Sequence, residues 1–269
     1  LHQKETDVPN PECSQAKTPF VPVLCRKEID ALKRACLYST PPNLLGYCGP
    51  GQSWQSFQKF ISEPTEENAL AAKEKLCNFN ALFPYLELIA KANNKEPFDP
   101  EVIEAYWLGN KLLENISHNE IQKTILSFQK FGLPRPIAEK KAAQLPEGML
   151  PHHSMHVLYV NFISQKVKPI VQNLSNCMVQ WAKVIEVKPN AAGVKGFELF
   201  SEAGELKLRE KEKTVQNPLN FQLNSGDFVS LHWGNIVEKI SAREFKSLKS
   251  YTFKNLKRVN SSLDSRQKE

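Results

Sequence analysis

The chain has 269 residues, 41 % of them apolar and 24 % charged, a composition that excludes collagen, a disordered tail and a disulfide miniprotein. No stretch reaches the roughly 18–20 apolar residues of a bilayer-spanning helix, so a soluble protein with a real core is expected. The net charge of +6 is unevenly placed. Residues 1–174 hold 19 Lys/Arg against 18 Asp/Glu, residues 175–269 hold 16 against 11, and 16 of 18 prolines precede residue 175. Two regions of different character follow, with a boundary near Asn173–Asn176.

Residues 1–24 are polar, carry four prolines and read as an irregular arm. Helix signals then dominate residues 25–174. Arg26–Tyr38 sets Ile29, Leu32, Ala35 and Cys36 on one stripe, and Pro41-Pro42 is expected to stop that helix. Trp54–Ile61 is a short helix. Thr65 is an N-cap ahead of acidic residues, and its helix should break near Pro84 and resume to Ala92. Asp99 and Pro100 open another as N-cap and N1, with Val102, Ile103, Tyr106, Trp107, Leu112 and Leu113 on one side. Asn119–Phe131, Ile137–Gln144 and Ser154–Gln165 complete an all-α domain.

After residue 176 the period becomes two. Met178–Val187, Gly196–Ser201, Glu205–Arg209, Phe228–Trp233 and Ile236–Ile240 read as strands, with turns at Glu202-Ala203-Gly204 and Gly234-Asn235. Ser241 and Glu244 form a capping box for a final helix through about Leu256, leaving 259–269 as a polar tail. The expected fold class is α+β: an all-α domain, then over 175–258 a small OB-like β-barrel with a C-terminal helix.

Two blocks in the second region resemble the HypC/HupF chaperones of [NiFe] hydrogenase assembly. Cys177, then Trp181-Ala182-Lys183-Val184, stands where that family has a cysteine followed after three residues by Pro-Gly-Lys-Val. Gly226-Asp227-Phe228-Val229-Ser230-Leu231-His232-Trp233-Gly234, with Ile236-Val237-Glu238-Lys239, is similar to its Gly-Asp-x-Val-x-x-His-x-Gly block and the strand after it. The match covers roughly Cys177–Lys249. It implies a barrel whose cysteine thiolate holds iron carrying cyanide and carbonyl ligands, with a histidine beside it, here Cys177 and His232. That role needs an open surface with the two groups within about 4–6 Å, close enough to share a small ligand; burial of Cys177 behind apolar side chains would rule out ligand transfer there. One departure stands out: the family's cysteine is N-terminal after methionine removal, whereas Cys177 is internal, so any role of a free α-amine is lost. Three blocks of the first region, Tyr38–Pro50, Glu104–Asn110 and Pro151–Val157, resemble an uncharacterised bacterial helical family loosely associated with hydrogenase gene neighbourhoods.

Other residues carry chemistry of their own. His152, His153 and His156 open a helix, and His152 with His156 would sit one turn apart, as two metal ligands do. They precede Cys177 closely enough to share an interdomain cleft with it. Cys48, in a glycine-rich turn, is a candidate reactive thiol. The six cysteines show no paired spacing, which reads as reduced thiols in a cytoplasmic protein. The basic final helix, with Phe245, Tyr251 and Phe253 interleaved, reads as a docking face for protein and not for nucleic acid. The expected function is a non-catalytic accessory role in hydrogenase maturation, partnered by the large-subunit precursor or an iron-carrying maturation protein. The alternative is a metal- or thiol-dependent enzyme with its site between helical domain and barrel.

Overall fold

The structure, a computed structural model, describes residues 25–163 and 166–266; the expected N-terminal arm lies outside them. Seven helices come first: α1 (Arg26–Leu44), α2 (Ser53–Ser62), α3 (Glu66–Cys77), α4 (Phe83–Ala92), α5 (Pro100–Trp107), α6 (His118–Ser127) and α7 (Arg135–Ala143). A short turn α8 (His153–Met155) runs into a π-helical turn (His156–Val160), and α9 (Val171–Cys177) leads to the barrel. The local signals act as expected at two starts, where Thr65 Oγ1 accepts from Asn68 N and Asp99 Oδ1 from Glu101 N.

The strands are β1 (Gln180–Lys188), β2 (Ala191–Glu202), β3 (Glu205–Gln216), β4 (Phe228–His232) and β5 (Asn235–Ile240). They close in the order β1-β2-β3-β5-β4. All neighbours are antiparallel except β3 and β5, an OB-like barrel. Two-residue turns at Ala203-Gly204 and Trp233-Gly234 have both residues at positive φ, the twist that joins antiparallel strands tightly. The final helix, α10 (Ala242–Arg266), starts at the expected capping box, with Ser241 N donating to Glu244 and Glu244 N to Ser241 Oγ.

Alternation along the strands builds two cores. Ala182, Val184, Ala192, Val194, Val229, Leu231 and Ile236 fill the barrel. The other faces of β1, β2 and β5, through Trp181, Leu199 and Val237, join one continuous core with α1, α4, α5 and α10. On β4 the same alternation sends Ser230 and His232 outward onto α1, where Ser230 Oγ and Tyr38 Oη lie 2.7 Å apart. Beside them Arg34 reaches Glu238 at 2.8 Å and Glu244 at 2.7 Å. The Glu238 carboxyl, driven by burial, sits above its ordinary range despite Arg34.

Several boundaries differ from the sequence reading. Pro41 and Pro42 do not stop α1; they occupy its last turn, and their carbonyls accept from Leu45, Tyr47 and Cys48 N–H groups. The helix from Pro100 ends at Trp107, because Gly109 turns left-handed at φ +85°, and Leu112 and Leu113 lie in a 3₁₀ turn. The Asn173–Asn176 boundary falls inside α9, which Ser175 Oγ ties to β2 by accepting from Leu199 N. β2 and β3 extend well past the alternating segments that signalled them. α10 continues past Leu256 to Arg266, where a tail was expected. Cys25, Cys36, Cys48 and Cys177 are free thiols, whereas Cys77 is disulfide-bonded; sequence spacing carries no information about a pairing closed by tertiary contact. No helix among the described residues is long and apolar enough to cross a membrane.

Candidate metal centre

Three potential ligands meet where α8 and α9 face the outer side of β4. One ligand atom each from His153, Cys177 and His232 lies within 4.8 Å of the others. Cys177 is the last residue of α9. Asn176 O accepts from Trp233 N at 2.8 Å, which holds the β4–β5 turn, and hence His232, beside it. The buried amide of Asn255 on α10 brackets the third ligand, accepting from Leu150 N and donating to Leu150 O and Ser154 Oγ.

His232 is fixed by what α1 lacks. Pro42 has no N–H, so the Tyr38 carbonyl four residues earlier has no helical donor. His232 Nδ1 donates to that carbonyl at 2.7 Å. The proton is thereby placed on Nδ1 and the Nε2 lone pair is bare; Nε2 is buried and has no hydrogen-bond partner. A hydrogen bond from the far ring nitrogen to a carbonyl is how proteins orient a metal-ligating imidazole. His153 is held at both nitrogens: Nε2 lies 3.0 Å from Cys177 O, and Nδ1 3.0 Å from Tyr106 Oη.

The surroundings are aromatic. Trp107 packs 4.7 Å from the His153 ring and 5.9 Å from that of His232, and the two imidazoles meet edge to face at 5.4 Å. Buried Trp107 Nε1 also lacks an acceptor, and the Trp233 indole N–H favours the Cys177 thiolate. Burial nevertheless pushes the Cys177 thiol well up, with Cys48 nearby adding to the shift. Burial lowers His232 to about 4 and His153 well below the ordinary value, the latter helped by its neighbouring imidazoles. Both imidazoles are therefore neutral at pH 7 and offer lone pairs, while the thiol proton would leave as metal enters. One sulfur and two nitrogens suit a soft or borderline transition ion. Ligand atoms on a tetrahedral zinc-like ion sit about 3.5 Å apart at ordinary bond lengths, so the widest pair here must close by about 1 Å as an ion enters.

Of the residues singled out from the sequence, Cys177, His232 and His153 converge here, and His152 and His156 do not. His152 is extended and caps α8, its Nδ1 accepting from Ser154 N. His156 turns to Tyr85 Oη at 3.3 Å. The expected shared face fails because the helix begins only after His152 and is π-wound from His156. Cys48 packs on the same core, but burial raises its thiol to about 11, which keeps it protonated rather than nucleophilic. The open surface expected for Cys177 and His232 is absent: His232 is 1 % exposed and Cys177 9 %, because the helical region packs over this face of the barrel. In the final helix, Arg243 pairs with Glu104 and Lys254 with Glu114, and Lys239 just before it pairs with Asp227. Phe245 packs on Phe228.

Tyr38, Tyr106, Trp107 and Trp233 were not identified as site residues by the sequence reading. One signal could have found three of them. Tyr38, the Tyr106-Trp107 pair and His153 each fall in one of the three helical blocks quoted above, and all three blocks meet at this cluster.

Compared with known proteins, residues 32–266 match the model of a family of unknown function, DUF6390. The chain belongs to that family. No curated protein and no solved structure matches it.

Proposed function

We propose that this chain is an accessory protein of metallocentre assembly, which holds an iron centre for a [NiFe] hydrogenase precursor or its maturation proteins on Cys177, His232 and His153. The observation that carries this reading is the meeting of His153 with the two residues that the HypC/HupF resemblance picks out. A thiolate with two neutral imidazoles is a fitting donor set for low-spin iron bearing strong-field ligands. His232 is already oriented for it, and burial holds Cys177 and Cys48 as protonated thiols.

Enclosure alters the picture of the exchange. The helical region lies where an open chaperone would offer its cargo, so release requires α1 and the His153 turn to part from β4. The same enclosure favours a second reading, a metal-dependent enzyme whose site lies between helical region and barrel.

The test is isolation of the full chain from its native cells with metal analysis and identification of co-purifying protein. Wild type should carry iron and hydrogenase precursor, and Cys177→Ala should lose the iron. Equal iron in both, or unchanged hydrogenase maturation in the variant, would count decisively against the proposal. Metal retained without any hydrogenase partner would favour the enzyme.

A further inference from the structure

The two imidazoles of the cluster are in different states of readiness, and Tyr106 accounts for the difference. His232 carries its hydrogen on Nδ1, away from the cluster, bonded to Tyr38 O. His153 does the opposite. Its Nε2 faces Cys177 O at 3.0 Å, and since a carbonyl only accepts, that bond needs the hydrogen on Nε2, the nitrogen beside the cysteine. His153 is 6 % exposed and its ring meets the His232 ring edge to face at 5.4 Å, surroundings that keep it neutral, so Nδ1 is then bare and accepts from Tyr106 Oη. The same hydroxyl also has Ala81 O at 3.0 Å. It has one hydrogen and two acceptors within reach.

Resting on the metal reading above, we infer that Tyr106 is a positioning residue that lets His153 change tautomer as metal enters. Without metal, Tyr106 donates to His153 Nδ1 and His153 Nε2–H to Cys177 O. With metal, the His153 hydrogen sits on Nδ1 and is donated to Tyr106 Oη, the hydroxyl hydrogen turns to Ala81 O, and Nε2 is free to ligate. Hydrogens balance: ring and phenol keep one each, and only the thiol hydrogen leaves for solvent. No heavy atom need change partner except at the metal itself. His232 and Tyr38 hold their arrangement throughout. In the loaded state Nδ1–H donates to a hydroxyl that is itself bonded to a carbonyl, a chain that raises the basicity of Nε2.

The experiment uses the full chain with nitrogen-15 histidine, zinc(II) supplied during expression and the metal-free form made with a chelator. Long-range proton–nitrogen spectra report which ring nitrogen carries hydrogen. In the wild type His153 should be Nε2–H without zinc and Nδ1–H with it, while His232 stays Nδ1–H. Tyr106→Phe keeps the ring and should weaken zinc binding about 10–100-fold, the usual loss when a ligating imidazole loses its hydrogen-bond partner. Zinc bound through Cys177 with His153 still Nε2–H, or Tyr106→Phe within twofold of wild type, overturns the inference and leaves the metal site standing. No zinc bound, or equal binding by Cys177→Ala, overturns both. If Tyr106→Phe fails to fold, the wild-type tautomer comparison decides alone.

Discussion

Acidification from pH 7 to pH 5 should unfold this protein, and four buried histidines set the steepness. His152, His153, His156 and His232 are each 6 % exposed or less. Burial lowers His152 and His156 to about 3 and His232 to about 4, and holds His153 well below its ordinary value. In the unfolded chain each titrates near 6.5. A group whose pKa is depressed by folding lends stability that is intact above the unfolded pKa and is lost as pH falls toward the folded one. At pH 5, about 1.5 pH units below the unfolded value, each histidine has forfeited about 2 kcal/mol. The four together forfeit about 8 kcal/mol, against a typical total stability of about 5–15 kcal/mol. Glu238, raised by burial, opposes this with a single proton. Urea unfolding followed by circular dichroism at pH 7, 6 and 5 measures the effect. The unfolding free energy should fall by about 5 kcal/mol per pH unit between pH 6 and 5, an uptake of about four protons. His156→Gln, which keeps a polar partner for Tyr85, should reduce that slope by about a quarter. A free energy constant to within about 1 kcal/mol from pH 7 to 5 would refute the reasoning, since any site buried neutral must pay this proton linkage.

Arg34→Ala strands the buried Glu238 carboxylate. It should cost about 3–5 kcal/mol at pH 7, and Glu238→Gln in the same chain should recover part of it in thermal melts. Pro42→Ala restores an N–H that competes with His232 for the Tyr38 carbonyl. Zinc affinity by competition with a chromophoric chelator should fall about tenfold, with thermal stability unchanged or raised. Gly109→Ala drives a Cβ into the Tyr251 ring at a left-handed backbone position, and should cost about 1–3 kcal/mol in denaturant unfolding.

What could be read from the sequence was what local chemistry dictates. The caps at Thr65, Asp99 and Ser241 and the turn at Ala203-Gly204 act through neighbours only a few residues away, so their positions transferred directly. The switch from helical to alternating periodicity placed the barrel for the same reason. The prolines of α1 misled because their cost depends on whether the freed carbonyl finds another donor, and here His232, 194 residues away, supplies it. The histidine cluster was visible as a cluster, but which member turned to Cys177 depended on a π-wound turn that no spacing announces. The cleft shared by the histidines and Cys177 was expected, but not how completely it closes. Whether a barrel face is open is decided by what packs upon it, and the helical region that covers this one has its own unremarkable amphipathic pattern.

The most direct test of the metal centre is a cobalt(II) titration of the full chain monitored by absorption. One equivalent should give a thiolate-to-metal charge-transfer band that Cys177→Ala abolishes and that His232→Ala and His153→Ala each weaken, while His152→Ala and His156→Ala leave it in place. A chain that takes up no cobalt, or whose spectrum is indifferent to Cys177, would contradict the account.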